Sequence, residues 1–336
     1  MRNIVVSDEY HQSDLKPSEL LKQYVQMLSS DVFRFLVDGQ KLTETSCPAC
    51  ASASSQKMFE RYRLTYRQCQ ACGTLYISPR PADERINHFY ANASCCRFWR
   101  EQLSEAARLK RSEKIIKPRL EWVLDSTAEY CPCAKHWADI HTGQLRYAQA
   151  MEQAPAFSQK TLVNPYFNFK TAGPSTAVVP QPWWAAKLSE PADVVTLFEV
   201  IDQASGPGDL LTAVRGMLGG GGLCFMTCIL SSGFDVKELG QHAQNIYPPD
   251  RLNVFSVKGI KTLIERHGFE CLEFSTPGIL DVEIVARALR DNPQIPVSVF
   301  VRDLVLNQGE DLKRAFQEFL QANLLSSYGR ILIRKI

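Results

Sequence analysis

The stretch Ala192-Asp193-Val194-Val195-Thr196-Leu197-Phe198-Glu199-Val200-Ile201, with Leu223-Cys224-Phe225-Met226-Thr227-Cys228-Ile229-Leu230 after it, decides the fold. Both are continuous apolar runs without the alternation of a half-wet strand, the pattern of strands buried on both faces. Between them, 208–218 has helical spacing. Residues 219–222, four consecutive glycines, read as a helix stop and turn. A phosphate cradle would need a following Lys-Ser/Thr and a helix N-terminus. Working outward, strands are predicted at 136–142, 161–167, 269–275 and 330–335, and helices at 143–153 and 256–267. This alternation gives a mostly parallel sheet with helices on both faces. Ligands of such sheets bind outside the carboxyl ends of the strands, which directs attention to 139–145, 164–166, 199–203 and 228–234.

The first part of the chain has a different texture. Residues 1–16 are polar and read as loose, and 17–37 carry apolar residues at helical spacing. Cys47-Pro48-Ala49-Cys50 and Cys69-Gln70-Ala71-Cys72-Gly73 follow, separated by 18 residues. Two such pairs at this spacing read as a structural zinc site: each turn presents two thiolates, and the two turns close a tetrahedron with no position left for water. Short strands are predicted around 59–66 and 75–77, ended by Pro79-Arg80-Pro81. Asp83 is placed to cap a short helix, and a longer helix over about 97–124 is expected to bend near Pro118. That helix is basic, through Arg97, Arg100, Arg108, Lys110, Arg111, Lys114, Lys117 and Arg119. The plain reading is a solvated face; the functional one is recognition of an anionic substrate such as a nucleotide-linked sugar.

The chain has 336 residues, 45% hydrophobic and 22% charged, with a net charge of +2. That is an ordinary globular composition, and the charge gives no electrostatic case for nucleic acid. No charged and then apolar leader opens the sequence, and no apolar run reaches the roughly 18 residues of a membrane span. Of 11 cysteines, the seven outside the two pairs are scattered, which points to a reducing cytoplasm. Cys131 and Cys133 have the wrong spacing for a metal knuckle and read as inert surface. Trp183-Trp184 reads as packing over a sheet edge.

Several of these segments together carry a resemblance. Cys69-x-x-Cys72-Gly73-Thr-Leu-Tyr-Ile-Ser-Pro79-Arg80-Pro81 followed by Phe89-Tyr90 resembles the zinc-ribbon front end of bacterial class I S-adenosylmethionine-dependent methyltransferases of sugar and polysaccharide biosynthesis. In the same family's terms, Ala192–Ile201 is similar to the fourth strand, 210–226 to the following helix, turn and fifth strand, and Pro248-Pro249-Asp250-Arg251-Leu252-Asn253-Val254-Phe255-Ser256 to a loop beside the active site. His267-Gly268-Phe269 and 275–282 resemble the helix end and sixth strand, and 327–335 the closing antiparallel strand.

The resemblance implies a Rossmann-like α/β fold: a seven-stranded methyltransferase sheet with its last strand antiparallel, preceded by a small zinc-ribbon module with helical flanks. It divides the chain into an N-terminal helical segment (1–45), the ribbon (46–82), a helical linker or cap (83–130) and a methyltransferase-like domain (131–336). The implied cofactors are S-adenosylmethionine and a structural zinc ion on Cys47, Cys50, Cys69 and Cys72. The implied cofactor contacts are Asp139, His141, Gly143, Asn164, Phe198, Glu199 and Tyr90.

Departures from the family pattern fall at the cofactor. Where the family has D-x-G-x-G-x-G, this chain has Asp139-Ile140-His141-Thr142-Gly143-Gln144-Leu145, with one glycine of three. A side chain in place of a glycine that turns the backbone sharply costs about 1–3 kcal/mol. Asn164 stands where an acidic residue receives the ribose, and Asp202-Gln203 replaces a Glu-His pair. Arg251 replaces a histidine.

The expected function is methyl transfer to a small-molecule or sugar-precursor acceptor, with Asp202, Glu199 and Tyr247 as candidate bases and Tyr247 and Phe255 as lid residues. The alternative is a methyltransferase-like protein that has lost catalysis and serves as a binding or scaffolding partner. A ribbon-type nucleic-acid binder is the weaker rival.

Overall fold

The computed structural model describes residues 11–140, 145–164 and 175–336. Along the chain, α1 (Gln12–Leu15) and α2 (Ser18–Val32) precede β1 (Ser55–Arg61), β2 (Leu64–Cys69) and β3 (Leu75–Ile77). A helical cap follows: α3 (Asp83–Asn92), α4 (Ser94–Phe98), α5 (Ser104–Ala106), α6 (Arg108–Arg111) and α7 (Lys117–Tyr130). The second half runs β4 (His136–Ile140), α8 (Leu145–Glu152), β5 (Gln159–Val163), β6 (Thr176–Val179), β7 (Ala192–Phe198), α9 (Pro207–Met217), β8 (Leu218–Ile229) and α10 (Phe234–Leu239). It ends with β9 (Asn253–Val254), α11 (Val257–Arg266), β10 (Phe269–Ser275), α12 (Asp281–Asp291), α13 (Val299–Leu306), α14 (Glu310–Ala322) and β11 (Tyr328–Lys335).

The large sheet has seven strands in the order β10-β11-β8-β7-β4-β5-β6. Neighbours from β8 to β6 are parallel, while β11 runs antiparallel to both β8 and β10. This is the class I methyltransferase arrangement with its reversed seventh strand, as expected. The strand order reverses at the β4–β7 pair, and the crevice beyond such a switch point is where open α/β sheets take their ligands. The two apolar runs are β7 and β8, and Val194, Val195, Leu197, Leu223, Phe225 and Met226 are all buried, as a strand covered on both faces requires.

Some elements differ from expectation for identifiable reasons. The helix expected over 97–124 is interrupted by π-helical turns at Trp99–Leu103 and Ser112–Ile116. It restarts as α7 with Pro118 in the first turn, where the missing N–H belongs to no intrahelical bond, and continues to Tyr130. The glycines 219–222 lie inside β8: Ala192 pairs with Leu218 but Val194 pairs with Leu223, and the intervening residues bulge outward with Gly221 at φ +72°. Asp83 opens α3 without capping it; its carboxylate instead accepts the Ser205 N–H at 2.9 Å. The strand expected over 161–167 ends at Val163, and 165–167 lie outside the described residues. Strand β6 and helices α12 to α14 had no counterpart in the sequence reading.

The ribbon is built into the body. Its sheet has four strands, β1-β2-β3-β9, and the fourth comes from the loop that follows 248–252. Asn253 locks this junction: its side-chain amide donates to the carbonyls of Ala204 at 2.7 Å and Ile201 at 3.2 Å. Its Oδ1 accepts from Arg80 Nη1 at 3.0 Å, and the same nitrogen donates to the Ser205 carbonyl at 2.8 Å. Helix α11 then lies against both cysteine turns, with Arg266 donating to the Ala49 carbonyl and Lys258 to that of Ala71, each at 2.9 Å.

Candidate metal centre and cavity

The sulfur atoms of Cys47, Cys50, Cys69 and Cys72 all lie within 4.8 Å of one another, with Cys47–Cys72 at 3.6 Å and Cys50–Cys69 at 3.5 Å. A tetrahedron of thiolates about 2.3 Å from a metal has edges near 3.8 Å. The four sulfurs therefore fit such a site in kind and in spacing. The contact between Cys47 and Cys72 pulls one of these thiols down and pushes the other up.

The second feature is a cavity of about 320 Å3 outside the carboxyl ends of β7 and β8. Its floor includes Glu199, Gln203 and Ile229, its roof is formed by Lys16 after α1 together with the cap from Tyr90 to Arg119, and one wall is the loop bearing Tyr247, Asp250 and Arg251. Glu199, directly after β7, has φ +62°, a left-handed conformation in which a non-glycine residue is strained. Its backbone N–H is held by the carbonyl and the hydroxyl of Thr227, both at 3.1 Å.

The Glu199 carboxylate sits between two guanidinium groups. Arg119 donates to Oε1 at 2.5 Å and Arg251 to Oε2 at 3.2 Å. Burial alone would raise this carboxyl, but the charges of Arg119 and Arg251 outweigh it and hold Glu199 well below the usual carboxylate range. Arg251 also faces Asp202 at 3.4 Å, and Asp202 accepts the Ile229 N–H at 3.0 Å. Asp202 is completely buried, and burial lifts it to about 7 against the opposing pull of Arg251. Across the switch point, Thr196 of β7 donates its hydroxyl to Asp139 of β4, whose carboxyl burial also raises to about 7.

The site residues expected from sequence divide accordingly. Glu199, Tyr90 and Tyr247 line the cavity, whereas Asp139, Asn164, Phe198 and Asp202 are buried. His141 and Gly143 lie outside the described residues. Of the three base candidates, Glu199 is doubly ion-paired, Asp202 is fully buried, and burial pushes the Tyr247 phenol up. Tyr247 packs edge-on against Tyr24 with centroids 6.1 Å apart, and Phe255 is a fully buried core residue. Of the two expected lid residues, Tyr247 lines the cavity while Phe255 lies in the core away from it. Phe198 packs between Tyr147, 5.3 Å away, and Trp122, 6.1 Å away. Tyr90 donates to Asp250 at 2.6 Å.

The basic helix splits into three populations, with Arg100 and Lys114 half-buried on the cavity lining. Arg97, Arg108, Lys110 and Lys117 are exposed, as the solvated reading expects, while Arg111 and Arg119 are buried at the cavity. Sequence reading passed over Lys16, Trp99 and Arg330. All three line the cavity; the aromatic and basic composition of 97–119 was a signal for Trp99, and nothing local marked Lys16 or Arg330. Trp183 is half-buried against the sheet core and Trp184 is exposed, with ring centroids 5.2 Å apart.

No family model and no curated protein matches the chain. Among solved structures it is similar to a SAM-dependent methyltransferase from Thermotoga maritima, with 14% identity over 69% of this chain and 96% of that one and a TM-score of 0.41. It is also similar to the N-methyltransferase NodS from Bradyrhizobium japonicum, with 8% identity over 67% and 98% and a TM-score of 0.39. A third is the cyclase SpnF, with 13% identity over 63% and 79% and a TM-score of 0.40. Likeness at this level carries nothing about substrate or chemistry; the fold assignment rests on the strand order and directions. No helix among the described residues is long and apolar enough to cross a membrane.

Proposed function

We propose that the chain transfers a methyl group from S-adenosylmethionine to a small-molecule acceptor held in the cavity under the cap. The observation that carries this reading is the position of the cavity, at the carboxyl ends of β7 and β8 and beside the β4–β7 switch point. Asp139 and Asn164, at the ends of the adjacent parallel strands β4 and β5, fit the donor in kind: a carboxyl and an amide able to bond an amino group and ribose hydroxyls. The donor supplies the electrophilic methyl group. The chain's own contribution is to align the acceptor and keep water away, which accounts for most of the catalysis such a transfer needs. A sugar-linked acceptor follows from the resemblance in sequence, and the cationic cap supports an acidic one.

The four-cysteine cluster is read as a structural zinc site, since an all-thiolate set leaves no open position for chemistry. Calorimetric titration of the zinc-loaded protein with S-adenosylmethionine and S-adenosylhomocysteine tests the main reading. Saturable binding is expected, and no heat up to millimolar ligand would sink it.

A second reading, a binding protein that has lost methyl transfer, is favoured by one observation. The Arg119–Glu199–Arg251–Asp202 network engages every carboxyl oxygen of Glu199 and Asp202 except Asp202 Oδ1, which is buried without a partner. Binding of the small acceptor without any donor binding would select this reading.

A further inference from the structure

We propose that the cavity is an acid-binding site in which Lys16 and Arg111, standing over the ring of Trp99, clasp the carboxylate or phosphate group of a small organic ligand. This rests on the reading of the cavity as the acceptor site, and it names the chemistry that the acceptor carries.

The argument begins with Arg111, which is 8% exposed and lines the cavity. Buried guanidinium groups ordinarily have a carboxylate, because burying an unpaired charge is expensive. Arg119 and Arg251 obey the rule through Glu199. Arg111 does not: among the described residues no carboxylate pairs with it, and its recorded contact is with the Trp99 ring, whose centroid lies 5.6 Å from the guanidinium carbon. Lys16, at the end of α1, repeats the pattern. Its ammonium lies 5.6 Å from the same centroid and forms no ion pair within the described residues.

The two cations also oppose one another. Burial, then the charges of Arg111 and Arg251, bring Lys16 down to about 8. Burial likewise lowers Arg111, with the neighbouring charge of Arg119 adding to the effect. Glu199 attracts both, but its two oxygens are already taken, and Asp250 is bonded by Tyr90. The remaining lining carboxylate, Asp281, is turned to the protein, accepting from Ser326 and Gln317 and from the Ser327 backbone N–H. Arg330, also on the lining, stacks over Trp122 at 4.3 Å with its Nε buried and unbonded.

A fold that brings Lys16, Arg111 and Arg330 to one cavity with acids near them but no ion pair to any of the three among the described residues is held at an electrostatic cost that a ligand's acid group would relieve. Arginine suits this task because its planar fork matches carboxylate and phosphate oxygens. The cavity, about 320 Å3, has room for a small organic molecule behind that group. An acid already ionised at neutral pH also fits a site whose candidate bases are ion-paired or buried.

The test uses the zinc-loaded full chain at low salt, with inorganic pyrophosphate and citrate as separate probes, read by calorimetry and by thermal unfolding. Wild type is expected to bind at least one probe and to gain Tm with it; the stronger probe tells a phosphate from a carboxylate head group. Arg111→Met and Lys16→Met are each expected to weaken binding about 10–100-fold, while Arg108→Met, exposed on the same helix, leaves it unchanged. Without probe, Arg111→Met should be at least as stable as wild type, since it removes a buried charge that lacks a carboxylate; a purely structural arginine would show the reverse. If Arg111→Met does not fold, the structural role is preferred unless Lys16→Met, well folded, has lost the probe.

Binding of neither probe by wild type, or equal binding by the Met variants, overturns the proposal. S-adenosylhomocysteine titrated in parallel separates the two readings. Donor binding without probe binding removes the acid site alone, and probe binding without donor binding keeps the acid site and removes methyl transfer.

Discussion

Glu199 concentrates the electrostatics of the site, because it is strained in its backbone and doubly paired in its side chain. Replacing it by glutamine would leave Arg119 and Arg251 buried without a full counter-charge. Breaking a buried pair costs roughly 3–5 kcal/mol, and the partly solvated carboxylate trims this, so about 2–4 kcal/mol is expected for Glu199→Gln in urea unfolding. An unchanged midpoint would show that the network is not an anchor. The pH dependence separates the two acids by sign. Glu199 is lowered on folding, so its contribution is complete above its unfolded pKa and fades only as the solution is acidified through its folded one. Asp202 is raised to about 7, so between roughly pH 4 and pH 7 the folded protein holds a proton that the unfolded chain has released. Its effect is a loss of stability as pH rises through that window, and Asp202→Asn should narrow the difference between urea midpoints at pH 5 and pH 8. An equal difference in both proteins would show that Asp202 does not titrate there. Glu199 and Asp202 were legible in the sequence because they follow a buried strand at a place where ligands bind. Their partners were not: Arg119 lies 80 residues before Glu199 and Arg251 lies 52 after it, and nothing in local pattern joins them.

Among the elements, α11 and the cysteine turns form the tightest joint between the two halves of the chain. Gly259 faces the ribbon so closely that a Cβ there would stand 2.1 Å from Thr74 Oγ1 and 3.3 Å from the Ala49 Cβ. Thr74 is fully buried, so it has no room to yield. Gly259→Ala is expected to cost about 1–3 kcal/mol by overpacking, although alanine favours a helix elsewhere. Carbonyl groups of the same turns accept from Ser231, Ser256, Lys258 and Arg266, so whatever fixes the turns fixes those bonds too. Metal analysis should find one zinc per chain, and a chelator should lower Tm and release α11 to faster amide exchange. Zinc-free protein that keeps its Tm would remove the structural-zinc reading. At this scale the sequence was most readable where one principle dominates. The apolar runs of β7 and β8 and the cysteine spacing each have a single physical meaning. The glycines 219–222 have two, since a left-handed glycine serves a bulge inside β8 as well as a turn before it. The cap was harder to read because its π-helical turns at 99–103 and 112–116 shift the helical period, which a regular 3.6-residue pattern does not show.

Across the whole molecule, the first core does not respect the division suggested by sequence texture. Tyr24, Leu28 and Leu36 from the amino-terminal helices, Phe59, Leu64 and Ile77 from the ribbon, and Leu239, Val254, Val285 and Leu304 from the second half belong to one buried cluster. The ribbon sheet likewise takes its last strand from β9. Residues 131–336 expressed alone would therefore lose the partners of β9, α11, α12 and α13 at once and expose a contiguous apolar face. Each large aliphatic side chain returned to water costs about 1.5–3 kcal/mol, and a handful of them equals the roughly 5–15 kcal/mol that holds an ordinary domain together. The fragment is expected to be insoluble or molten, without a cooperative thermal transition, although it contains every strand of the seven-stranded sheet. Co-expression with residues 1–130 should restore a soluble complex, because the missing surface is then supplied in trans. A fragment 131–336 that unfolds cooperatively alone would show that the sheet is a self-sufficient unit and that the ribbon and cap are additions to it. Even then the cavity would be missing its roof and part of its charge, because Lys16, Arg111 and Arg119 come from the first 130 residues, while Glu199, Arg251 and Arg330 come from the other part of the chain.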